Sequence, residues 1–549
     1  AERALTLAES LSALAWLRAR TPPTPPSGPS PARGWAPSGR PDYRYPLDEL
    51  RLAWRELLRN HPHDSLPGCS VDEVHLDMQQ RFRSARQIAH HVQREALAAL
   101  AGRVAAPRPW EDPRGEGSLV NVLRKAREVV AETPHGPCPT QIAGRGGERR
   151  ALAVVRVPGF GALEIRLRRG ADGPFPAQAR ALDCRTIENE HYRVHAAPDG
   201  TLEVTDRSTG ESWNGFHWFQ DEADRGDEYS FCPLEGDIPW DSRKLAARVR
   251  VRAAGPAVAE LEIAIPARLP RELRSDRRVR TRSTALCPIR TTVRLAAGVD
   301  RIELRTTVEN RARDHRLRVL FPAPVSDRFV RVEGHFALLR RPAEPAWNGR
   351  WREPPARTNH TPGLVSAGKL ALMSRGLPEY EAIPDGSGVT LALTLLRCAG
   401  WLGRPDLPTR PGADEPQIPT PDAQCPGTHT FEYAISLRGQ AEDAALLRAA
   451  HDYRTDLAVG PVGVALGGAL RLEGDGFAFA ALKGAEDGDG VILRIYNPGG
   501  SRTSARVVAP GLAVRRCQMD ESGTEPEPVE TISIGGGEIV TLRVAESRG

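Results

Sequence analysis

This sequence is sparing with the residues that usually declare a chemistry. Its eight cysteines, at 69, 138, 184, 232, 287, 398, 425 and 517, form no Cys-x-x-Cys pair. That spacing argues against a zinc knuckle or a dense disulfide framework, and isolated thiols of this kind suit a reducing compartment, so a cytoplasmic protein is expected. No apolar run approaches the roughly 20 residues of a membrane helix, so no membrane association is expected. Lys and Arg number 75 against 70 Asp and Glu, and the resulting charge of +5 is spread over 549 residues without a basic stripe. Nucleic acid is therefore not implied as a partner. Only three Met stand beside abundant Arg, Ala, Pro and Gly, a coding bias that bears on source rather than function. No signal peptide is recognisable at Ala1, and no fixed-period repeat is evident.

What is present is ordinary globular material, 40% hydrophobic and 26% charged, and long enough for several domains. Leu7, Leu11 and Leu14 recur at helical spacing, as do Leu50, Trp54, Leu57 and Leu58. Ser70-Val71-Asp72-Glu73 has the form of a capping box ahead of a stripe made by Val74, Met78, Phe82, Ala85, Ala89, Val92 and Ala96. Between the first two helices, nine prolines fall within Thr21 to Pro46, which predicts a semi-extended linker. Beyond about Arg103 the period changes. Short alternating segments such as Ala153–Val157, Leu202–Thr205, Val249–Val251, Leu261–Ile265 and Ile302–Thr306, separated by Gly, Pro and Asp-Gly turns, predict β-sandwiches. A short helix near Glu442 to Thr455 precedes further strands at Val491–Tyr496 and Ile539–Val544. The expected architecture is α+β and multi-domain: an N-terminal three-helix bundle over 1–103, with the Pro-rich linker at 21–46, followed by mostly antiparallel β domains. These are a small one at 104–180, a large sandwich at 181–455 and a C-terminal one at 456–549.

One stretch stands out chemically. Leu57-Leu58-Arg59-Asn60-His61-Pro62-His63-Asp64-Ser65-Leu66-Pro67-Gly68 sets an imidazole beside a carboxylate between two helices. Such a pair has the chemistry of a metal ligand next to a polar substrate contact, while the plainer reading is a polar interhelix loop. With the following Ser70 and Glu73-Val74, this segment resembles one in the helical middle domain of α-mannosidases of glycoside hydrolase family 38. Four further blocks resemble the same family in the same order. They are Ile187-Glu188-Asn189-Glu190 with Asp199–Leu202 and Asp206–Gly210, then Asp221–Phe231 with its Asp224-Arg225-Gly226-Asp227-Glu228-Tyr229 run, then Arg375–Tyr380, and last Leu395–Arg397 with Gly400–Leu402.

The resemblance implies a retaining, metal-dependent α-mannosidase whose substrate is an α-mannoside. It implies that His63 is a ligand of Zn2+ or another divalent metal, and that Asp64 and Tyr229 bind the sugar. No catalytic carboxylate is identifiable. The family's N-terminal α/β domain, with its His-x-Asp zinc pair and its nucleophile, is not recognisable, and His75-Leu76-Asp77 reads as solvated helix surface. The sequence starts without an initiator Met, directly in a helical pattern, so it is expected to be the C-terminal portion of a longer enzyme and to have little glycosidase activity alone. The remaining ligands would then come from the missing N-terminal catalytic domain. The sequence departs from the family at His61-Pro62, where proline removes an amide and restrains its neighbour. The acidic residues around Arg225 read as a solvated turn or a set of salt bridges with that arginine rather than a calcium loop. Two alternatives stay open: a free-standing carbohydrate-binding or structural β-sandwich protein, and a subunit that pairs with a separate catalytic domain. A homo-oligomer is also left open.

Overall fold

The computed structural model describes residues 1–21, 43–102, 117–125, 127–133, 141–143, 150–165, 177–323, 325, 328–351, 353–386, 388–412, 416–461, 464, 466 and 468–547. Most of the expected Pro-rich linker, and parts of the expected small β domain, lie outside the described residues.

Three helices open the chain. Helix α1 (Glu2–Arg20) contains neither Gly nor Pro and is rich in Ala and Leu, the best helix formers. Helix α2 (Leu47–Leu58) follows Pro46 and carries Asp48 and Glu49 in its first turn, where carboxylates favour the positive end of the helix dipole. Helix α3 (Asp72–Leu100) is the longest at 29 residues. The capping box is not formed: Val71 is the N-cap and makes no side-chain cap bond. Ser70 turns away instead, its hydroxyl donating to the Asp64 carbonyl at 3.1 Å, so it closes the preceding loop rather than the helix.

The three helices pack through Leu5 and Ala8 of α1, Leu50, Ala53 and Leu57 of α2, and Ala85, Ala89 and Val92 of α3. Leu58, one of the expected core positions, is 54% exposed. Leu7, Leu11 and Leu14 do not face this core. They join a different one, built with Leu482, Leu493, Ile495, Val507, Ile532 and Leu542 from the far end of the chain. Helix α1 is therefore wrapped on one side by the other two helices and on the other by a β-sandwich.

That sandwich packs the sheet of Ala478–Gly484, Val491–Tyr496, Ile539–Ala545 and Ala513–Cys517 against the three strands Arg471–Glu473, Thr503–Val508 and Thr531–Ile534. The larger β body holds a nine-stranded sheet that runs from Arg248–Ala254 through the central pair Ile302–Asn310 and Gly427–Ser436 to the edge hairpin Phe329–Gly334 and Ala337–Pro342. A five-stranded sheet (Arg180–Ala181 to Ser212–Phe216) and a six-stranded sheet share one core with it. The six-stranded sheet includes Trp218–Ala223, His315–Ala323 and Gly388–Cys398. Alternation does the sorting here: along Ile302–Asn310 every second residue is buried, the period-2 signature of a strand with one face in the core. All strand pairs among the described residues are antiparallel.

Helix α4 (Asp443–Arg454) joins the two β bodies. Leu446, Leu447, Ala450 and Tyr453 pack on Ala371, Met373 and Ala434 of the large sheet, and Ala478 and Tyr496 of the small sandwich complete the cluster. No helix among the described residues is long and apolar enough to cross a membrane.

Candidate functional site

The loop between α2 and α3 is held from below. Asn60 is fully buried, donating to the Met78 carbonyl at 3.0 Å and accepting from Arg81. Pro62 cannot donate, but its carbonyl accepts the amides of Ser65 and Leu66, both at 3.0 Å, which folds the loop into a tight turn. Gly68 closes the turn at φ +89°, a backbone that an L side chain rarely adopts. On this rigid base His63 and Asp64 point outward. Nε2 of His63 lies 3.6 Å from Oδ1 of Asp64, and the two side chains are 95% and 54% exposed. His61 is exposed as well.

The second wall is the segment after strand Trp218–Ala223. The sequence reading of its acidic residues as solvated is overturned: Asp221, Asp224 and Asp227 are at most 1% exposed and Glu228 is 8% exposed. Asp224 and Asp227 organise backbone, while Asp221 binds side chains. Asp221 pairs with Arg280 at 2.6 Å and with His315 at 2.5 Å. Asp224 accepts the amides of Gly226 and Cys232 and lies 3.0 Å from Arg397 Nε. Asp227 accepts the amides of Tyr229, Ser230 and Arg404. Arg397 also donates to the carbonyls of Asp227 and Glu228. Arg225 pairs with none of them, its contact being Asp406 at 3.9 Å. Buried charges on this scale persist only when paired and hydrogen-bonded, and here they fix the backbone that presents Tyr229.

Tyr229 is 36% exposed, with the Arg410 guanidinium 4.5 Å from its ring centroid. Partial burial, and after it the negative charge of Asp64, push its phenol above the ordinary value, so the hydroxyl stays protonated and able to donate. The two walls are stitched together by the Cys69 thiol, which donates to the Glu228 carbonyl at 3.5 Å. The structure thus gathers Asp64 and Tyr229 into one neighbourhood with His63 beside them. The blocks at 187–210 and 375–380 do other work: Glu188 is buried among Arg180, Arg193 and Arg207, and Tyr380 sits in the core.

Glu228 was missed as a group with its own chemistry. Burial pushes its carboxyl up to about 7, only partly offset by the nearby Thr420 hydroxyl and Ser70 amide. The sign of the consequence is definite. Between about pH 4.5 and 7 the folded chain holds a proton that the unfolded chain has released, so this group's contribution to stability falls as pH rises and levels off above 7. Glu228→Gln is expected to be about 1–3 kcal/mol more stable than the parent at pH 8 and near parity at pH 4.5. Urea unfolding of both proteins at the two pH values checks this, and a difference that does not change with pH would refute it. His75 also departs from the surface reading, since it is half-buried with Nε2 enclosed and without a hydrogen-bond partner among the described residues.

Among the described residues no three His, Cys, Asp or Glu side chains converge as a metal ion requires. His63 and Asp64 offer two donors on an open face, so the described residues do not by themselves make a metal centre. The site is a rigid, outward-facing platform of one imidazole, one carboxylate and one phenol.

A helical head and antiparallel β-sandwiches carry this platform, and the chain belongs to glycoside hydrolase family 38. Residues 1–100 match the alpha mannosidase middle domain, 187–412 the family 38 C-terminal domain and 476–542 the family 38 C-terminal beta sandwich domain. Among curated proteins the chain is 26% identical to a predicted mannosylglycerate hydrolase of Halalkalibacterium halodurans, over 89% of this chain and 62% of that protein. It is 24% identical to Homo sapiens alpha-mannosidase 2C1, over 84% of this chain and 41% of that protein. The chain thus spans less than two thirds of either relative. An alpha-mannosidase of Enterococcus faecalis V583 shares the fold, with a TM-score of 0.78 at 23% identity, covering 98% of this chain and 66% of that one. A second Enterococcus faecalis family 38 structure matches with the same score and identity, covering 99% of this chain and 68% of that one.

Proposed function

We propose that this chain supplies one wall of the active site of a retaining, metal-dependent glycoside hydrolase that cleaves α-mannosides. The observation that carries the reading is the platform itself: His63, 95% exposed, and Asp64, 54% exposed, stand on a loop held by buried Asn60 and by backbone bonds to the Pro62 and Asp64 carbonyls. Exposed polar groups on so rigid a base fit a half-site that closes against another surface. In this reading His63 offers a neutral imidazole to a divalent metal such as Zn2+, which when bound orients sugar hydroxyls and stabilises developing charge. Asp64 accepts hydrogen bonds from adjacent hydroxyls, and Tyr229, kept protonated, donates one. The remaining ligands and the two carboxylates of a retaining mechanism belong to a catalytic α/β domain outside the described residues. A reducing, cytoplasmic setting fits the described cysteines, all of them free thiols.

The purified 549-residue chain is therefore expected to show no turnover of an aryl α-mannoside, with or without added zinc, and a longer protein that includes a catalytic domain is expected to turn it over. Metal-dependent hydrolysis by the chain alone would sink the half-site reading. Binding of mannosides at His63 and Asp64, with no activity in any longer form, would favour the free-standing sugar-binding protein instead.

A further inference from the structure

A cleft of about 590 Å³ opens at the far edge of the large sandwich, and it shares no lining residue with the His63 platform. Its walls come from strand Ser212–Phe216, the edge hairpin Phe329–Pro342, the turn at 366–370 and the residues just after strand Gly427–Ser436. The volume lies inside the range of about 300–1,000 Å³ usual for small-molecule sites. The strands Ser212–Phe216 and Phe329–Gly334 and the turn between Leu364–Ala367 and Leu370–Arg375 frame most of the described lining. The Gly439 amide donates to the Lys369 carbonyl, and a Cβ at Gly439 would fall 2.5 Å from the Leu370 carbonyl oxygen, so only glycine permits this closure.

The lining mixes aromatic and aliphatic side chains with charged and polar ones. Trp213 rests against the hydrophobic core and is half-buried, leaving part of its indole to the cleft. An aromatic ring in that position suits the C–H face of a pyranose. Beside it Lys369 pairs with Glu211, and the ammonium lies 5.7 Å from the indole centroid. A paired carboxylate and ammonium present an acceptor and donors side by side, the complement of two vicinal hydroxyls. Ser366, 3% exposed, lines the cleft together with Gln440.

We infer that this cleft binds a short saccharide, with Trp213 as the stacking platform and Glu211, Lys369 and Ser366 reading hydroxyls. It is a second carbohydrate site on the chain, independent of the His63 platform. The test is isothermal titration of the purified chain with mannobiose, maltose and cellobiose. At least one of them is expected to bind with a Kd of about 1 mM or tighter, the scale of a few net hydrogen bonds and one stacked ring. Trp213→Ala is expected to weaken that binding at least about tenfold, and Glu211→Gln to weaken it while preserving the fold. Asp64→Ala should leave it unchanged. Circular dichroism and thermal melts of each variant separate lost binding from lost folding. No binding by any of the three sugars, or binding insensitive to Trp213→Ala, overturns the inference. Binding lost in Asp64→Ala but kept in Trp213→Ala would place the sugar on the His63 platform, overturning the cleft while leaving the proposed function intact.

Discussion

Replacing His63 by alanine is expected to lower kcat/KM of the complete enzyme by more than about 10²-fold, while leaving the melting temperature of the 549-residue chain unaltered. The size follows from the proposed role: changing an outer partner of a metal ligand costs about 10–100-fold, and removing a ligand costs more. The unchanged stability follows from exposure, because a side chain 95% in solvent packs against nothing that folding depends on. Asp64→Asn should behave differently. It keeps the shape and one acceptor oxygen but loses the charge that strengthens bonds to hydroxyls, so KM should rise more than kcat falls. Steady-state kinetics on an aryl α-mannoside, alongside metal content by elemental analysis, check both. A His63→Ala enzyme with parental activity and full metal content would remove His63 from the site.

The largest expected loss of stability lies elsewhere, at Arg454. Its guanidinium donates to both oxygens of Glu333, each at 2.6 Å, and the Glu333 side chain is 7% exposed. Burial alone would push that carboxyl up, but the bonds from His451 and Arg454 outweigh it and hold it down at about 2. The resulting stabilisation is fully present above about pH 4.5 and is lost as pH falls toward 2. Arg454→Met leaves the buried carboxylate without its main partner, which typically costs about 3–5 kcal/mol. Acidification should then recover part of the loss in the variant, the reverse of the parent. Glu333→Gln combined with Arg454→Met should restore much of the stability at neutral pH, since breaking a pair is worse than deleting it. Urea midpoints for the four proteins at pH 4 and 8 decide the matter, and additive single and double effects would refute the coupling.

Local patterns carried the secondary structure well. Along α3 the stripe residues Met78, Ala85, Ala89, Val92 and Ala96 are buried and Phe82 is half-buried, and the alternating segments at 202–205, 261–265 and 302–306 are strands. The His63-Asp64 loop was visible because residue types at short spacing carry it. The acidic segment was misread because its partners are remote: Arg280 lies 59 residues from Asp221, and Arg397 lies 170 residues from Asp227. A signal was present, since an arginine among the apolar residues Leu395, Leu396 and Cys398 is rarely buried without a carboxylate to meet it. The same distance hid the true neighbours of Leu7, Leu11 and Leu14, whose helical spacing says that they are buried but not against what.

The sharing of α1 between the helices and the last sandwich bears on how the molecule comes into being. Residues 478–545, which cover one side of α1, are made some 460 residues after it. At roughly 5–20 residues per second, the ribosome leaves that leucine face waiting for about half a minute or longer. During this interval the growing polypeptide exposes an amphipathic helix with nothing to close on, a natural target for chaperones and a hazard for self-association. Helix α1 and residues 478–545 then dock late and together, so a nonsense codon ahead of residue 478 would strip the cover from that helix.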